Sequence, residues 1–253
     1  MLTYSQTNSL ICRANTLLQL DKIVIIPTYN EKENIEKIIR KVMSLDGNFH
    51  VLIVDDGSPD GTADIVRSLQ NEFTTALHLV CRSGKLGLGT AYIHGFKWAL
   101  AKGYAFIFEM DADFSHNPDD LLRLYHACAQ EGADVAVGSR YVKGGKLVNW
   151  PLNRKLISKG GALYTKLITW MPVNDPTAGF ICYRNSVLQK IPLDQVQFVG
   201  YAFQVEMKYR AWKLGFSIKE VPITFVDRTE GTSKMSSNIV KEAMLGVWKM
   251  RNF

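Results

Sequence analysis

Two carboxylates two residues apart, Asp111 and Asp113, directly follow an apolar run at residues 106–110. Side chains two apart in an extended chain point the same way, so both carboxylates can converge on one ligand. Hard oxygen donors of this kind suit Mg²⁺ or Mn²⁺ holding a diphosphate. An isolated Asp-x-Asp is common, and a solvated acidic turn before Pro118 explains it equally well. The pair alone therefore leaves both interpretations open.

Two further acidic segments follow apolar runs, VDDGSPDGT and IPTYNEKENI. In the first, Asp56 can accept hydrogen bonds from a base or a ribose. In the second, Tyr29 and Glu31 can bracket a nucleoside. Ordinary turn chemistry is the alternative for each segment, with Asp60 as the cap of the next helix. Three carboxylate-bearing strand ends in one sheet favour a binding site over three unrelated turns.

Cationic side chains come later in the chain. Arg140 follows a short apolar run, and Arg154 and Ser158 lie one helical turn apart. Arg228 and Lys234 flank a Gly/Ser loop. Guanidinium groups match phosphate oxygens bidentately, and a mobile loop can close over them. Any one of these cations is more often a surface ion pair, so the prediction depends on their convergence.

Several classes of function are disfavoured. The stretch from Gly84 to Gly95 matches neither G-x-G-x-x-G nor G-x-x-x-x-G-K-[ST], which argues against dehydrogenases and P-loop enzymes. The histidines show no metal-ligand spacing. Basic residues are dispersed, so no nucleic-acid partner is expected.

The elements that must position these residues alternate between strand and helix. Predicted strands cover 23–26, 51–54, 77–80, 106–110 and 135–137, and predicted helices cover 31–42, 60–69, 92–100 and 121–129. Pro27 is expected to end the first strand. This alternation predicts an α/β fold with a mostly parallel sheet flanked by helices. Ligands bind at the carboxyl ends of such strands, where the polar segments lie.

Composition fits a globular protein and excludes a disordered or collagen-like chain. The chain has 253 residues, 47% of them hydrophobic and 21% charged, with a net charge of +6. No apolar run approaches the ~18–20 residues of a membrane span. The first twenty residues do not resemble a signal peptide, and the four cysteines show no metal or disulfide spacing. A cytoplasmic protein with reduced thiols is expected.

The later part of the chain contains two amphipathic helices. Residues 153–171 place their apolar side chains within an arc of roughly 140°, flanked by Lys155, Lys159 and Lys166 beside Trp170. The second helix is expected within 236–253. The apolar arcs either complete the core or rest on a membrane. The expected organisation is an arm at 1–21, a catalytic domain at 22–235 and this C-terminal helix.

Eight segments together resemble the family 2 glycosyltransferases of the GT-A fold, and among them the polyprenol-phosphate or dolichol-phosphate mannose synthases. They are IPTYNEKENI, VDDGSPDGT, KLGLGTAYIHG, DADFSHNP, GSRY, NRKLISKGG, GYAFQVEM and VDRTEGTSK, spread over residues 22–249. The resemblance implies transfer of mannose from GDP-mannose to a polyprenyl monophosphate, with inversion to a β-linked product. It also implies Mg²⁺ or Mn²⁺ as cofactor.

The resemblance also assigns residues to roles. The nucleotide-sugar site would comprise Pro27, Tyr29, Glu31, Val54, Asp56, Asp111, Ala112, Asp113, Arg228 and Lys234. The metal would be held by Asp111 and Asp113 with Ser115, where some relatives carry Gln. The acceptor phosphate would be held by Arg140, Arg154 and Ser158. The catalytic group would be Asp113, Arg140, Arg154, Arg228 and Lys234.

The resemblance further implies work at a membrane surface. Longer relatives append transmembrane helices, whereas this sequence resembles the short form, attached peripherally to the cytoplasmic face or through a membrane-anchoring partner subunit. Three alternatives stay open: UDP-glucose or another nucleotide sugar as donor, a glycan as acceptor, or a catalytically silent subunit that binds nucleotide sugars.

Overall fold

The structure is a computed structural model that describes residues 21–227 and 246–251, apart from the side chain of Tyr201. The strands are β1 (Lys22–Thr28), β2 (His50–Asp55), β3 (Leu77–Cys81), β4 (Phe106–Glu109), β5 (Val135–Ser139), β6 (Lys146–Val148), β7 (Ile181–Arg184), β8 (Ile218–Pro222) and β9 (Thr224–Val226). The helices are α1 (Ile35–Met43), α2 (Thr62–Gln70), α3 (Leu88–Lys102), α4 (Asp120–Ala129), α5 (Leu152–Thr169), α6 (Asn185–Lys190) and α7 (Tyr201–Lys213). A 3₁₀ turn covers Leu193–Gln195.

The central sheet has seven strands in the order β3-β2-β1-β4-β7-β5-β8. Strands β1 to β4 pair in parallel, as do β5 and β8. Only β7, which lies between β4 and β5, runs antiparallel to both neighbours. The predicted α/β fold with a mostly parallel sheet is therefore confirmed.

Helices cover both faces of this sheet, and β1 shows why. Its residues alternate between faces, with Val24 and Ile26 packed on one side and Ile23 and Ile25 on the other. The first side is covered by α1, α2 and α4, and the second by α3, α6 and α7. All four side chains are completely buried, as expected of a parallel strand between two helical layers.

Several predicted boundaries are wrong: α1 begins at Ile35 and not at residue 31, and α3 begins at Leu88 and not at residue 92. Two further errors have a clear local cause. Pro27 does not end β1, which continues to Thr28 with Pro27 paired to Val54. The other neighbour, β4, pairs with β1 only as far as Ile25, so the missing N–H of proline is tolerated there. Helix α2 begins at Thr62 and not at residue 60, because Gly61 before it has a φ of 88°.

A second, two-stranded sheet pairs β6 with β9 in parallel. Phe225 of β9 also bridges to His116, which follows the Asp111–Asp113 segment. The backbone N–H of Asp227 donates to the carbonyl of Val148 at 3.2 Å. This small sheet therefore brings three distant segments together: the Asp111–Asp113 turn, the start of α5 and the end of β9.

Helix α5 does not bury its apolar arc. Leu156, Leu163 and Leu167 are 72%, 59% and 65% exposed, and Trp170 just beyond the helix is 78% exposed. The helix instead buries small or polar side chains, namely Ala162, Thr165 and Thr169. Among the described residues, most of this arc therefore does not contribute to the core. No helix among the described residues is both long enough and apolar enough to cross a bilayer.

Candidate active site

A cavity of about 530 Å³ lies beside the carboxyl ends of β4 and β5 and the first half of α5. Asp111 and Asp113 line it after β4, Arg140 lines it after β5, and Arg154 and Ser158 line it from α5. The carboxylates and the cations that the sequence predicts to bind phosphate, although they come from separate segments, therefore face one space.

The turn after β4 aims its acidic side chains outward. Ala112 is only 4% exposed and packs into the core, so the residues on either side of it face the cavity. The backbone N–H of Ser115 donates to Asp113 Oδ1 at 3.0 Å, and Phe114 adopts a φ of 56°. This local geometry folds the segment into a tight turn after the strand.

The two carboxylates fit a divalent ion that a ligand helps to hold. The described residues contain no group of three His, Cys, Asp or Glu side chains able to hold a metal without a ligand. Mg²⁺ is commonly bound by one or two carboxylates together with substrate phosphates and water. Asp111 and Asp113 provide that partial set of oxygens, and Ser115 beside them is buried.

A buried polar layer supports the turn from below. Glu109, the last residue of β4, is completely buried, and Gln204 of α7 donates a hydrogen bond to it. Burial raises the pKa of Glu109, whereas burial lowers the pKa of Lys208, which donates to the carbonyls of Ala178 and Gln204. Burial also raises the pKa of Tyr92, which interacts with Asp111. The floor of the cavity therefore has a low dielectric, in which charges interact strongly.

Arg140 is held rigidly in the cavity wall. Its Nε donates to Asp175 Oδ2 at 2.7 Å and its Nη2 to Oδ1 at 2.6 Å, while Nη2 also reaches Thr177 at 3.0 Å. Asp175 is completely buried and accepts a third bond from the backbone N–H of Arg140. Glu220 in turn accepts from the backbone N–H of Asp175 at 2.9 Å. Arg140 is thus prepositioned.

Arg154 and Ser158, one turn apart on α5, each have a protein partner. Arg154 Nη1 donates to both carboxylate oxygens of Asp227, at 2.9 and 2.8 Å. The Tyr141 hydroxyl donates to Ser158 Oγ at 2.6 Å. Both members of the Arg154–Asp227 pair remain about a quarter exposed, so a ligand can reach them.

The predicted nucleoside residues lie at the neighbouring strand ends, and none of the five appears among the described residues that line the cavity. Pro27 and Val54 are paired across β1 and β2. The Val54 side chain is fully buried in the core, so only its backbone is available to a ligand. Tyr29 lies 5.1 Å from the Lys85 ammonium, and Glu31 accepts from Asn34 at 3.3 Å.

Asp56 forms a bidentate ion pair that the sequence analysis missed. Arg82 Nε and Nη2 donate to its two carboxylate oxygens at 2.6 and 2.8 Å, and both side chains are 8% exposed. Arg82 Nη1 also donates to Thr90 at 2.8 Å. Because Arg82 directly follows β3, the rule that ligand sites gather at strand ends would have identified it.

Other residues missed by sequence reasoning line or support the cavity: Asp175, Thr177, Trp150, His116, Phe225 and Asp227. His116 is buried and stacked on Phe180 at 4.9 Å, and burial lowers its pKa, so it is neutral at pH 7. No spacing in the sequence marks Asp175, whereas Asp227 immediately precedes Arg228. Arg228, Lys234 and most of the predicted C-terminal helix lie outside the described residues, as do residues 1–20 of the predicted arm.

Comparison with known proteins identifies glycosyltransferases as relatives of this chain. The family model described as glycosyl transferase family 2 matches residues 23–192. A polyprenol monophosphomannose synthase from Mycolicibacterium smegmatis is 46% identical over 231 residues, covering 90% of this chain and 87% of the relative. An undecaprenyl-phosphate mannosyltransferase from Micrococcus luteus is 47% identical over 225 residues, covering 89% and 91%.

Solved structures of low sequence identity share the fold. A mannosyltransferase from Pyrobaculum calidifontis in complex with GDP-Man and Mn²⁺ aligns with a TM-score of 0.58 at 15% identity, over 90% of this chain and 69% of that one. A glucosyl-3-phosphoglycerate synthase from Mycobacterium tuberculosis with Mn²⁺ and UDP gives 0.65 at 17% identity, over 92% and 81%. The predicted GT-A fold is thereby confirmed. The chain is a glycosyltransferase and belongs to glycosyl transferase family 2.

Proposed function

We propose that this protein transfers mannose from GDP-mannose to a polyprenyl monophosphate, with inversion to polyprenyl-phosphate β-mannose. The observation that carries the proposal is the shared cavity, in which two carboxylates after β4 face Arg140, Arg154 and Ser158. The two mannosyltransferase relatives at 46% and 47% identity support both the mannosyl group and the prenyl phosphate acceptor.

The chemistry requires charge neutralisation more than proton transfer. A phosphate oxygen is already anionic near pH 7, so the attacking atom needs no strong general base. Two unit negative charges ~6 Å apart repel by roughly 3 kcal/mol at an effective dielectric of ~20. Arg140 and Arg154 offset that repulsion on the acceptor side, and we assign the donor side to Arg228 and Lys234. A divalent ion, when bound by Asp111 and Asp113, supplies positive charge to the leaving diphosphate.

The nucleoside would lie at the ends of β1 and β2, beside the cavity. We assign its contacts to Pro27, Tyr29, Glu31, Asp56 and the backbone of Val54. The fold supports this, because β2, β1 and β4 are neighbours in the sheet and their carboxyl ends share one edge. We accordingly assign the diphosphate to the space between the nucleoside and Asp111.

The apolar residues in the cavity lining favour a prenyl acceptor over a glycan. Besides its polar groups, the cavity is lined by Ile157, Gly161 and Tyr164 of α5, by Val205 of α7 and by Val247. A Cβ at Gly161 would meet no atom within 4 Å, so this part of the wall is open. A sugar hydroxyl acceptor would need polar partners there, whereas an isoprenoid chain needs apolar contact.

The exposed face of α5 supports direct contact with a membrane. Leu156, Leu163 and Leu167 present apolar side chains to the outside, and Lys159 and Lys166 are exposed nearby. Each lysine near an anionic surface contributes about 1 kcal/mol. We place the protein peripherally on the cytoplasmic face. The free cysteines 81, 128 and 182 are typical of that reducing compartment.

The test is a transfer assay with purified protein, a panel of radiolabelled nucleotide sugars, a short-chain polyprenyl phosphate, and Mg²⁺ or Mn²⁺. GDP-mannose should give a lipid-soluble, acid-labile product, and UDP-glucose should give none. An Asp113→Asn variant should lose about 100- to 1000-fold in kcat. Asp119→Asn is the matched control, because Asp119 is an exposed partner of Lys41 at 2.6 Å.

Three results would contradict the proposal. Transfer from UDP-glucose in preference to GDP-mannose would assign a different donor. Near-normal transfer by the Asp113→Asn variant at saturating metal would remove this carboxylate from the mechanism. A protein that binds nucleotide sugar and transfers nothing to any acceptor would be a binding subunit.

A further inference from the structure

Trp150 contacts both arginines that face the acceptor side of the cavity. The guanidinium carbon of Arg154 lies 4.0 Å from the centroid of the Trp150 ring, and that of Arg140 lies 5.6 Å away. Trp150 is only 9% exposed and lines the cavity. Phe225 of β9 packs edge-on against it, at 5.5 Å and 83°.

The chain reaches this position through a specific local turn. Asn149, just after β6, adopts a φ of 61°, a left-handed conformation that asparagine tolerates better than most residues. Pro151 then caps α5 with an extended backbone, and the N–H of Lys155 donates to its carbonyl at 3.1 Å. Trp150 is therefore fixed between the small sheet and the first turn of α5, which carries Arg154.

The ring face, and not the indole N–H, accounts for tryptophan at this position. The Nε1–H group is buried without a hydrogen-bond partner among the described residues. A tryptophan face attracts cations within about 6 Å of its centroid, more strongly when they are partly removed from water. The Arg140 side chain is 9% exposed and that of Arg154 is 27% exposed, so both meet that condition.

The two arginines are held to different degrees. Arg140 is fixed by Asp175 and Thr177 and also faces the rings of Tyr141 and Phe225, at 5.3 and 5.4 Å. Asp227 holds only Nη1 of Arg154. The two arginines come from different elements, and their like charges repel. Trp150 is in ring contact with both, at 4.0 Å from Arg154 and 5.6 Å from Arg140, so it links the less firmly held Arg154 to the fixed Arg140.

We propose that Trp150 is a positioning residue for the acceptor phosphate, acting through Arg140 and Arg154 together. This inference rests on the proposed function, which assigns both arginines to that phosphate. The ring spaces the two guanidinium groups for one phosphate before the acceptor arrives, which lowers the entropy lost on binding.

The test measures kcat and KM for polyprenyl phosphate and for GDP-mannose separately, in Trp150→Leu and Trp150→Phe variants. Trp150→Leu should lose about tenfold in kcat/KM for the acceptor, equivalent to about 1.4 kcal/mol, chiefly through KM. Trp150→Phe should retain most of the wild-type value, because phenylalanine keeps an aromatic face. KM for GDP-mannose should change by less than twofold in both. Trp98→Leu is the control for loss of a tryptophan ring elsewhere in the fold. Trp98 packs on His78 of β3, with the ring centroids 4.8 Å apart.

A double-mutant cycle with Arg154→Ala separates positioning from packing. If Trp150 acts through the arginines, its removal should cost less in the Arg154→Ala background than in the wild type. Equal costs in both backgrounds would overturn the inference, as would a parallel rise of both KM values. If Trp150→Leu melts below the assay temperature, Trp150→Phe in the same cycle decides the question.

The two proposals fail in different ways. If Arg154→Ala binds and uses the acceptor normally, the acceptor site of the proposed function is wrong. If Arg154→Ala loses the acceptor while the Trp150 variants keep it, only the positioning role is wrong.

Discussion

Helices α3 and α5 are the two longest in the described structure, and they use their apolar residues in opposite ways. In α3, Tyr92 and Phe96 are completely buried against the sheet. In α5, Leu156 and Leu163 are mostly exposed, and the buried contacts are made by small or polar side chains such as Thr165. Helical periodicity thus identifies an apolar face without saying whether protein, lipid or water covers it.

The comparison also assigns different tasks to the two helices. The packing of α3 holds the sheet together and so determines stability. The inner side of α5 carries Arg154 and Ser158 into the cavity, while no residue within 21–227 or 246–251 covers most of its outer side. Mutations on α3 should therefore affect stability, whereas mutations on the outer side of α5 should affect binding to membranes.

The largest expected effect is on the stability of α3. Phe96→Ala should lower the free energy of unfolding by about 3–5 kcal/mol, because the ring packs against Tyr92 at 6.1 Å and Tyr183 at 5.6 Å. Leu163→Ala on the outer side of α5 should change it by about 0.5 kcal/mol or less. Urea unfolding followed by circular dichroism measures both. Similar losses in the two variants would mean that α5 is covered by protein.

Replacing a glycine by alanine should change the stability of the protein in opposite directions in the two helices. A Cβ at Gly95 of α3 would lie 2.7 Å from Ile25 Cγ2, so Gly95→Ala should destabilise the fold by about 1–3 kcal/mol. A Cβ at Gly160 of α5 would meet nothing within 4 Å, so Gly160→Ala should stabilise by roughly 0.5–1 kcal/mol through helix propensity. Thermal melts of the two variants against wild type provide the measurement. A destabilised Gly160→Ala would place an unseen neighbour beside α5.

Membrane contact should depend on the outer side of α5. A Leu163→Ser/Leu167→Ser variant should bind anionic liposomes at least about tenfold more weakly, because each leucine loses most of its transfer free energy. Its unfolding free energy should stay near the wild-type value. Liposome flotation is the assay, with a Lys155/Lys159/Lys166→Glu variant testing the electrostatic part. Unchanged flotation of both variants would discard this face as the membrane contact.

The smallest expected effect is a pH dependence of stability that arises just beyond the C-terminal end of α3. The Tyr104 hydroxyl lies 2.7 Å from His50 Nδ1 and 3.2 Å from His78 Nε2, and Trp98 of α3 packs on His78. Burial lowers the pKa of both histidines, with Lys22 also acting on His50. The unfolded chain therefore takes up protons first as pH falls below about 6.5, and stability decreases there. A His78→Gln variant should show a shallower loss between pH 7 and pH 5 in urea unfolding. If the His78→Gln variant loses stability with falling pH as steeply as the wild type does, His78 is not the source of the pH dependence.

Much of the fold was predictable because apolar runs and amphipathic segments follow one another closely along the sequence. Buried runs such as Ile23–Ile26 and amphipathic segments such as 121–129 alternate regularly, which fixes the class of fold. The reversed direction of β7 was not predictable, since four apolar residues look alike in either direction. Strands β6 and β9 were missed because three residues each give no clear period.

The convergence of the candidate residues was predictable, and their partners were not. Asp113, Arg140 and Arg154 were identified from chemistry at strand ends and on one helix face, and the structure brings them to one cavity. Their pairing with other side chains was not predictable. Asp175 reaches Arg140 across 35 residues and Asp227 reaches Arg154 across 73, and no local pattern encodes such contacts.

The reversed strand β7 also sets the distance between the two sides of the cavity. It begins, and does not end, at the edge where ligands gather, so the residues that enter it there are Ala178 and Gly179, both of which line the cavity. Because it separates β4 from β5, the turns that carry Asp111 and Arg140 start roughly 10 Å apart, two strand spacings. The antiparallel strand thus separates the side of the cavity that carries Asp111 from the side that carries Arg140.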